Sequence, residues 1–261
     1  MQAFTYAKPA SLAEAGRAAG AADVKLLAGG QSLLSAMKIG MAAPAALVDL
    51  GGLAELKGIS VSGGVVKIGA MTTHAAVAAS KEVAQAIPAL AKLAGGIGDR
   101  QVRNRGTIGG SIANNDPAAD YPAAALALGA TIHTDKRTIA ADDYFKGLYT
   151  TALNDGEIIT AVSFPVPEKA GWQKFNQPAS RFALVGVFVA KGKGGVRVAV
   201  TGAGSNGVFR ATALEQKLAG SWSGAACDGV KIDPKGLNGD LHGSAEYRAA
   251  LIPVLAKRAV G

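Results

Sequence analysis

The chain has 261 residues, 49% of them hydrophobic and 18% charged, with a net charge of +8. That length buries a real core in one large domain or a few subdomains, and the apolar share excludes a disordered chain. The positive balance invites a nucleic-acid reading, but the densest basic cluster, Arg100, Arg103 and Arg105, has no interleaved aromatic; the charge reads instead as a solvated surface, or as one that meets an acidic partner.

From the N-terminus, SLAEAGRAAG opens on a serine cap, carries Glu14 in its first turn and reaches a stop at Gly20, so it predicts a helix. VKLLAGG is a short apolar run ended by a glycine pair, which predicts a buried strand running into a tight loop. A second small helix leads to AALVDL, another strand, and together these make a βαβ unit over about residues 1–56. ISVSGGVVKIGAMT alternates around Ser-Gly-Gly and predicts a hairpin. THAAVAAS and PALAKLAGG read as helical. The stretch TIGGSIANNDPAADYP follows, then a helix over YPAAALALGA and a strand near ATIHT. EIITAVSFPVP is a strand stopped by its prolines, which places a boundary near residue 168. RFALVGVFVA and GVRVAVTGAG flank a Lys-Gly-Lys-Gly-Gly turn as a second hairpin, and ATALEQKLAG and AEYRAALIPVLAKRAV predict helices.

Cys227 is the only cysteine, so the chain forms no internal disulfide and cannot alone supply the four thiolates that an iron–sulfur cluster usually takes. His74, His133 and His242 lie far apart with no metal-ligand spacing. The segment MQAFTYAKPASLAEAG lacks a basic stretch followed by an apolar run, and no window approaches the roughly eighteen apolar residues of a membrane span. A cytoplasmic protein is expected.

Three glycine-rich loops stand out: Ala28-Gly29-Gly30-Gln31-Ser32 after a strand, Thr107-Ile108-Gly109-Gly110-Ser111, and GAGSNG from Gly202 to Gly207. Glycine permits positive φ and close approach, so successive N–H groups can converge on an anion. Either of the first two alone suits a tight turn; together, with Asn114, Asp116 and Asp120 close behind the second, they favour a nucleotide diphosphate. GAGSNG matches the dinucleotide fingerprint G-x-G-x-x-G, but it follows one arm of a hairpin and too little chain remains after it for a doubly wound domain. We read it as a hairpin exit that leads to a helix.

AGGQSLL, AMTTHAAV, IGDRQVRNRGTIGGSIANNDPAADYPAA, EIITAVSFPVP and SAEYRAALIPVLAKRAV occur here in the order and near the spacing seen in the flavin-binding medium subunits of molybdenum hydroxylases. The chain resembles that family, which includes carbon monoxide, aldehyde, xanthine and aromatic-heterocycle dehydrogenases, over essentially its whole length. The resemblance implies an α+β fold: a vanillyl-alcohol-oxidase (PCMH)-type FAD-binding domain over 1–168, in two α/β subdomains of about 1–56 and 57–168. A C-terminal domain of antiparallel sheet and helices would follow over 169–261.

By position, Ala28, Gly29, Gly30, Gln31 and Ser32, flanked by Leu27 and Leu33, resemble the family's first pyrophosphate loop. Thr107, Ile108, Gly109, Gly110 and Ser111 resemble the second. Asp120 matches a carboxylate near the ribityl or ribose hydroxyls, Ile159 an apolar nucleotide contact, Lys174 a lysine near the flavin, and Phe182 an aromatic beside the isoalloxazine. Leu33 and Ile159 suit plain core positions equally well, Lys174 suits a solvated surface, and Phe182 could pack under the C-terminal hairpin. Asp116 suits a backbone turn ahead of Pro117. Arg103 and Arg105 are expected to pair with carboxylates or face a partner.

The implied function is an oxidoreductase subunit that binds FAD and no metal. It would take electrons from the 2Fe-2S clusters of a small iron–sulfur subunit and pass them to an external acceptor. A large subunit with a molybdopterin cofactor would oxidise the substrate, in a heterotrimer able to dimerise. Gln31 stands where the carbon monoxide branch commonly has His, and ASRFALVG also departs from it, which favours an aldehyde or aromatic heterocycle. Two other readings stay open: a self-sufficient FAD-dependent reductase of the same fold, and a basic module that binds nucleotide or RNA phosphates without redox chemistry.

Overall fold

The computed structural model describes residues 2–261. β1 (Thr5–Ala7), α1 (Leu12–Ala19), β2 (Val24–Leu27), α2 (Leu33–Lys38) and β3 (Ala46–Asp49) form a three-stranded sheet, order β1-β3-β2, with β3 parallel to both neighbours. The Ser11 hydroxyl accepts from Glu14 N while the Glu14 carboxylate accepts from Ala10 N, which closes the start of α1 reciprocally. Ala15 and Ala19, one turn apart, are its buried face. The expected βαβ unit is present, and β1 extends it. Its core of Ala15, Val48, Leu50, Leu53 and Leu56 is completed by Met71 and Ile158 from the next unit, so the small sheet does not close its own interior.

β4 (Ile59–Ser62) and β5 (Val65–Gly69) are the predicted hairpin, with Gly63 and Gly64 at φ +58° and +74° in the turn. Six helices follow: α3 (His74–Ala79), α4 (Lys81–Ala86), α5 (Pro88–Gly95), α6 (Arg100–Arg105), α7 (Ile108–Asn114) and α8 (Tyr121–Leu128). Then come β6 (Thr131–Thr134), β7 (Thr138–Ala140), α9 (Ala141–Tyr144), the small ladder β8 (Phe145–Gly147) with β9 (Thr150–Thr151), and β10 (Ile159–Pro165). The five-stranded sheet has the order β4-β5-β10-β6-β7 and is antiparallel throughout.

The third sheet, β11 (Lys169–Asn176), β12 (Ala183–Gly192), β13 (Gly195–Thr201) and β14 (Phe209–Arg210), is an antiparallel meander, followed by α10 (Thr212–Gly220) and α11 (Ala245–Val260). Both faces of β12 are covered, which explains its unbroken apolar run. Val185, Val187 and Val189 face α10 and α11, while Phe188 and Ala190 join the core shared with the five-stranded sheet. Between those two sheets lies α8, all eight of whose residues are buried, as an apolar helix without a polar face requires. GAGSNG lies between the antiparallel strands β13 and β14, with α10 next, so its resemblance to a dinucleotide fingerprint is one of letters only. No helix among the described residues is long and apolar enough to cross a membrane.

One close contact joins a sheet to its helix, and one carboxylate ties the β6–β7 turn to the start of β10. On β11, a Cβ at Gly171 would overlap the Ala259 carbonyl oxygen of α11 and lie 2.6 Å from its carbon, so only glycine lets helix and strand meet. The Glu157 carboxylate accepts from Arg137 Nε at 2.9 Å, Thr134 Oγ1 at 2.7 Å and Asn154 N at 2.8 Å, bonds that hold its pKa at about 2. Gly171→Ala is expected to destabilise the chain by about 3 kcal/mol in urea unfolding, as overpacking does; a change below about 0.5 kcal/mol would contradict the contact. Glu157 has a depressed folded pKa, so its contribution is complete above its ordinary value of 4.5 and is lost as pH falls toward about 2. Glu157→Gln should flatten the pH dependence of the thermal midpoint in that window.

Candidate flavin site

The turn after β2 is shaped by what its glycines lack. Gly30 sits at φ +75° and lets the chain swing into α2. A Cβ on Gly29 would overlap the Arg105 carbonyl oxygen and lie 2.7 Å from Gly106 Cα. A Cβ on Gly110 would come 3.4 Å from Ala28 Cβ. The two glycine-rich segments, far apart in sequence, are therefore in van der Waals contact. Among the described residues, the N–H groups of Gly29, Gly30, Gln31, Ser32 and Leu33 meet no protein acceptor. Gln31 and Ser32 are exposed while Leu27, Ala28, Gly29, Gly30 and Leu33 are partly buried, so these unpaired donors lie on a turn at the surface.

The second segment is not a loop. Thr107 caps α7, its hydroxyl accepting from Gly110 N at 3.1 Å, and TIGGS is that helix's first turn. Its amides are already committed: Ile108 N donates to Thr72 O at 3.1 Å, Gly109 N to Ala70 O at 2.8 Å and Ser111 N to Thr107 O at 3.0 Å. Here glycine serves close packing, since a Cβ on Gly109 would lie 2.5 Å from that of Ala70. The convergence of bare amides expected from both segments is found in the first alone; the second contributes the partly buried Ser111 and a firm wall.

Behind α7, Asn115 adopts a left-handed conformation at φ 43° and its side-chain amide donates to Gly147 O and Thr150 O. Asp116 makes the anticipated turn, accepting from Ala118 N at 2.8 Å. Thr201 Oγ1 donates to Ala119 O at 2.7 Å, and Gly202 N to Pro117 O at 2.8 Å, so the C-terminal sheet fastens this strand of backbone. It ends at Asp120, just before α8 and 5% exposed. Lys174 Nζ, on β11, donates to Asp120 Oδ2 at 2.6 Å, and both side chains are buried. The solvated lysine is thus excluded. Burial pushes the Asp120 carboxyl up to about 6, with the ammonium pulling the other way.

Three buried polar atoms in this region lack a protein partner: Asp120 Oδ1, the Tyr121 hydroxyl and His74 Nδ1. His74 packs on the Tyr121 ring at 5.4 Å, and burial, reinforced by Arg103, lowers its pKa to about 4. A carboxylate oxygen that is buried and unbonded suits a hydroxyl donor from a sugar. With the free amides of the first turn and a cradle that admits no Cβ, these residues fit an FAD.

Of the remaining candidates, Ile159 is 5% exposed on β10 and belongs to the main core. Phe182 is 50% exposed, not packed under the hairpin. It borders a cleft of about 430 Å³ lined also by Asp116, Pro117, Gln177 and Arg248. Among the described residues Arg103 pairs with no carboxylate; its guanidinium donates to Ile97 O and Gly98 O, both at 2.9 Å. Sequence reasoning passed over Arg181, a non-glycine residue at φ 63° beside Phe182, and over His74, which lies within the quoted AMTTHAAV. No periodic pattern marks either one.

Residues 2–167 match the family model described as the FAD binding domain in molybdopterin dehydrogenase. The nicotine 6-hydroxylase medium subunit of Paenarthrobacter nicotinovorans is 36% identical, over 100% of this chain and 97% of that protein. The carbon monoxide dehydrogenase medium chain of Hydrogenophaga pseudoflava is 35% identical, over 98% and 96%. Among solved structures, quinoline 2-oxidoreductase from Pseudomonas putida 86 superposes with a TM-score of 0.88 at 30% identity, covering 99% of this chain and 96% of that one. An antiparallel PCMH-type core, a glycine turn with free amides and a buried carboxylate with one unbonded oxygen thus coincide with whole-length similarity, and the chain belongs to the family of FAD-binding medium subunits of molybdenum hydroxylases.

Proposed function

We propose that this chain is the flavin station of a cytoplasmic molybdenum hydroxylase. In that complex it accepts electrons from 2Fe-2S clusters in a small partner subunit and delivers them to an external acceptor. A large partner subunit with a molybdopterin cofactor oxidises the substrate. The observation that carries this reading is the contact between the Gly29–Gly30 turn and the Gly106–Gly110 segment, with unbonded amides on one side and the unpaired Asp120 Oδ1 nearby. The lone cysteine supports the division of labour: Cys227 is buried at 2% exposure, its pKa raised by burial, and it is unsuited to ligating a cluster. The relatives named for nicotine and quinoline favour an aromatic heterocycle as the substrate, with an aldehyde the next choice.

In this reading Ala28, Gly29, Gly30, Gln31 and Ser32 hold the pyrophosphate by main-chain donors, and Leu27 and Leu33 flank it. Thr107, Ile108, Gly109, Gly110 and Ser111 form the opposing wall, with the Ser111 hydroxyl turned to the ligand. Asp120 accepts from a sugar hydroxyl, Lys174 neutralises and positions that carboxylate, and Phe182 covers the ring. Ile159 supports the site from the core. FAD supplies the redox chemistry, while the protein's part is binding, orientation and tuning. The domain boundary follows β10, between Pro165 and Lys169.

Isolation of the native complex with its partners should yield flavin, iron and molybdenum together. An intact assembly that holds FAD but neither metal would end the hydroxylase assignment in favour of a self-sufficient reductase, and a colourless one would end both. A hydroxyl donated to Asp120 favours its ionised form, so FAD affinity should weaken as pH falls through about 6, the value for the carboxyl in the protein alone. Titrating FAD into Asp120→Asn should show weaker binding at neutral pH and no such pH dependence. Equal pH profiles for the two proteins would remove Asp120 from the site.

A further inference from the structure

We propose that Lys174 is a positioning residue that couples flavin occupancy at Asp120 to the order of the loop Gln177–Phe182, which carries Phe182. The inference rests on the reading above that Asp120 meets a flavin sugar. An ammonium has three N–H donors, and all three are taken by different parts of the fold. Lys174 Nζ donates to Asp120 Oδ2 at 2.6 Å, to Gly96 O at the end of α5 at 2.9 Å, and to Arg181 O in the loop at 3.2 Å. Its side chain is 6% exposed, so water has little share in holding it.

The loop needs that hold. Arg181 sits at φ 63°, a conformation in which a side-chain-bearing residue persists only where its surroundings impose it. Within the loop, Gln177 Oε1 accepts from Ala179 N and Ser180 N, both at 2.7 Å, and Arg181 N donates to Gln177 O at 2.8 Å. These bonds shape the loop but do not fasten it to the body of the molecule. The fastening is the Lys174 bond to Arg181 O, with a longer 3.4 Å contact from Arg181 Nη1 to Gly98 O. At the other end of the same ammonium, Asp120 Oδ1 is buried and unbonded. A hydroxyl on that oxygen fixes the carboxylate, the carboxylate fixes the ammonium, and the ammonium fixes Arg181 and with it Phe182.

Such a coupling is reciprocal: whatever FAD does for the loop, the loop does for FAD. The bond between Arg181 and Phe182 is a trypsin site, so its cleavage in the full-length chain reads the loop directly, by mass spectrometry, while visible absorbance reports bound flavin. FAD should slow cleavage about tenfold, within the usual range of coupling between sites. In Lys174→Met that still absorbs as a flavoprotein, the protection should fall below about twofold. Wild-type chain nicked at this one bond should bind FAD about tenfold more weakly, a measurement that requires no variant to fold. Full protection in a flavin-loaded Lys174→Met, or unchanged FAD affinity after nicking, would overturn the coupling while leaving the flavin site standing. A wild-type chain that takes up no FAD at all would instead overturn the site, and the coupling with it.

Discussion

The architecture turns on a backbone-to-backbone approach at Gly29. With no Cβ there, the turn after β2 lies directly on the carbonyl of Arg105 and on Gly106, and the small parallel sheet is seated against the antiparallel one. Gly109 repeats the device one layer down, where the first turn of α7 rests on Ala70 and donates hydrogen bonds to the Ala70 and Thr72 carbonyls just after β5. These contacts tolerate no side chain, so the sheets have one way to meet. Close packing thus fixes how the two glycine-rich segments meet, and a surface ordered in this way lowers the ordering cost of binding.

The seam with the C-terminal sheet works by a different principle. Thr201 and Gly202 donate hydrogen bonds from that sheet to the backbone carbonyls of Pro117 and Ala119, and Lys174 donates one to the Asp120 carboxylate. A buried ion pair such as Lys174 with Asp120 gains little net stability, because desolvation offsets attraction, whereas losing one partner is expensive. Its value is geometric. It holds a carboxylate in place where burial alone would favour the neutral form, and it leaves one oxygen, Asp120 Oδ1, without a protein partner. Stability comes instead from the valines of β12 and β13 against α10 and α11, and from the fully buried α8.

GAGSNG shows why spacing without context misleads. Its three glycines satisfy the fingerprint, and Gly202 and Gly207 do have positive φ. Yet Gly202 is required because a Cβ would meet the carbonyls of Ala183 and Leu184, a hairpin neighbour, and no parallel strand is there to form a nucleotide crevice. The same allowance for close approach that seats the Gly29–Gly30 turn on Arg105 and Gly106 here only closes a strand.

Local order in the sequence determined much of this protein. The Ser11 cap with Glu14, the Ser-Gly-Gly hairpin, the apolar run of β12 and the glycine turn after β2 are short-range patterns, and each yields the expected element. Strands β1, β7, β8, β9 and β14, of two or three residues, are too brief to carry a period, and β11 was missed because its half-exposed alternation around Gly171 is weak. TIGGS read as a loop because glycine disfavours helix; the Thr107 cap and the fit against Ala70 override that preference. Lys174 could be paired with Asp120, or Arg103 with the carbonyls of Ile97 and Gly98, only once distant segments had packed. Whether a charge is solvated or buried, and whether an amide is free or spent, depends on neighbours that chain order does not name.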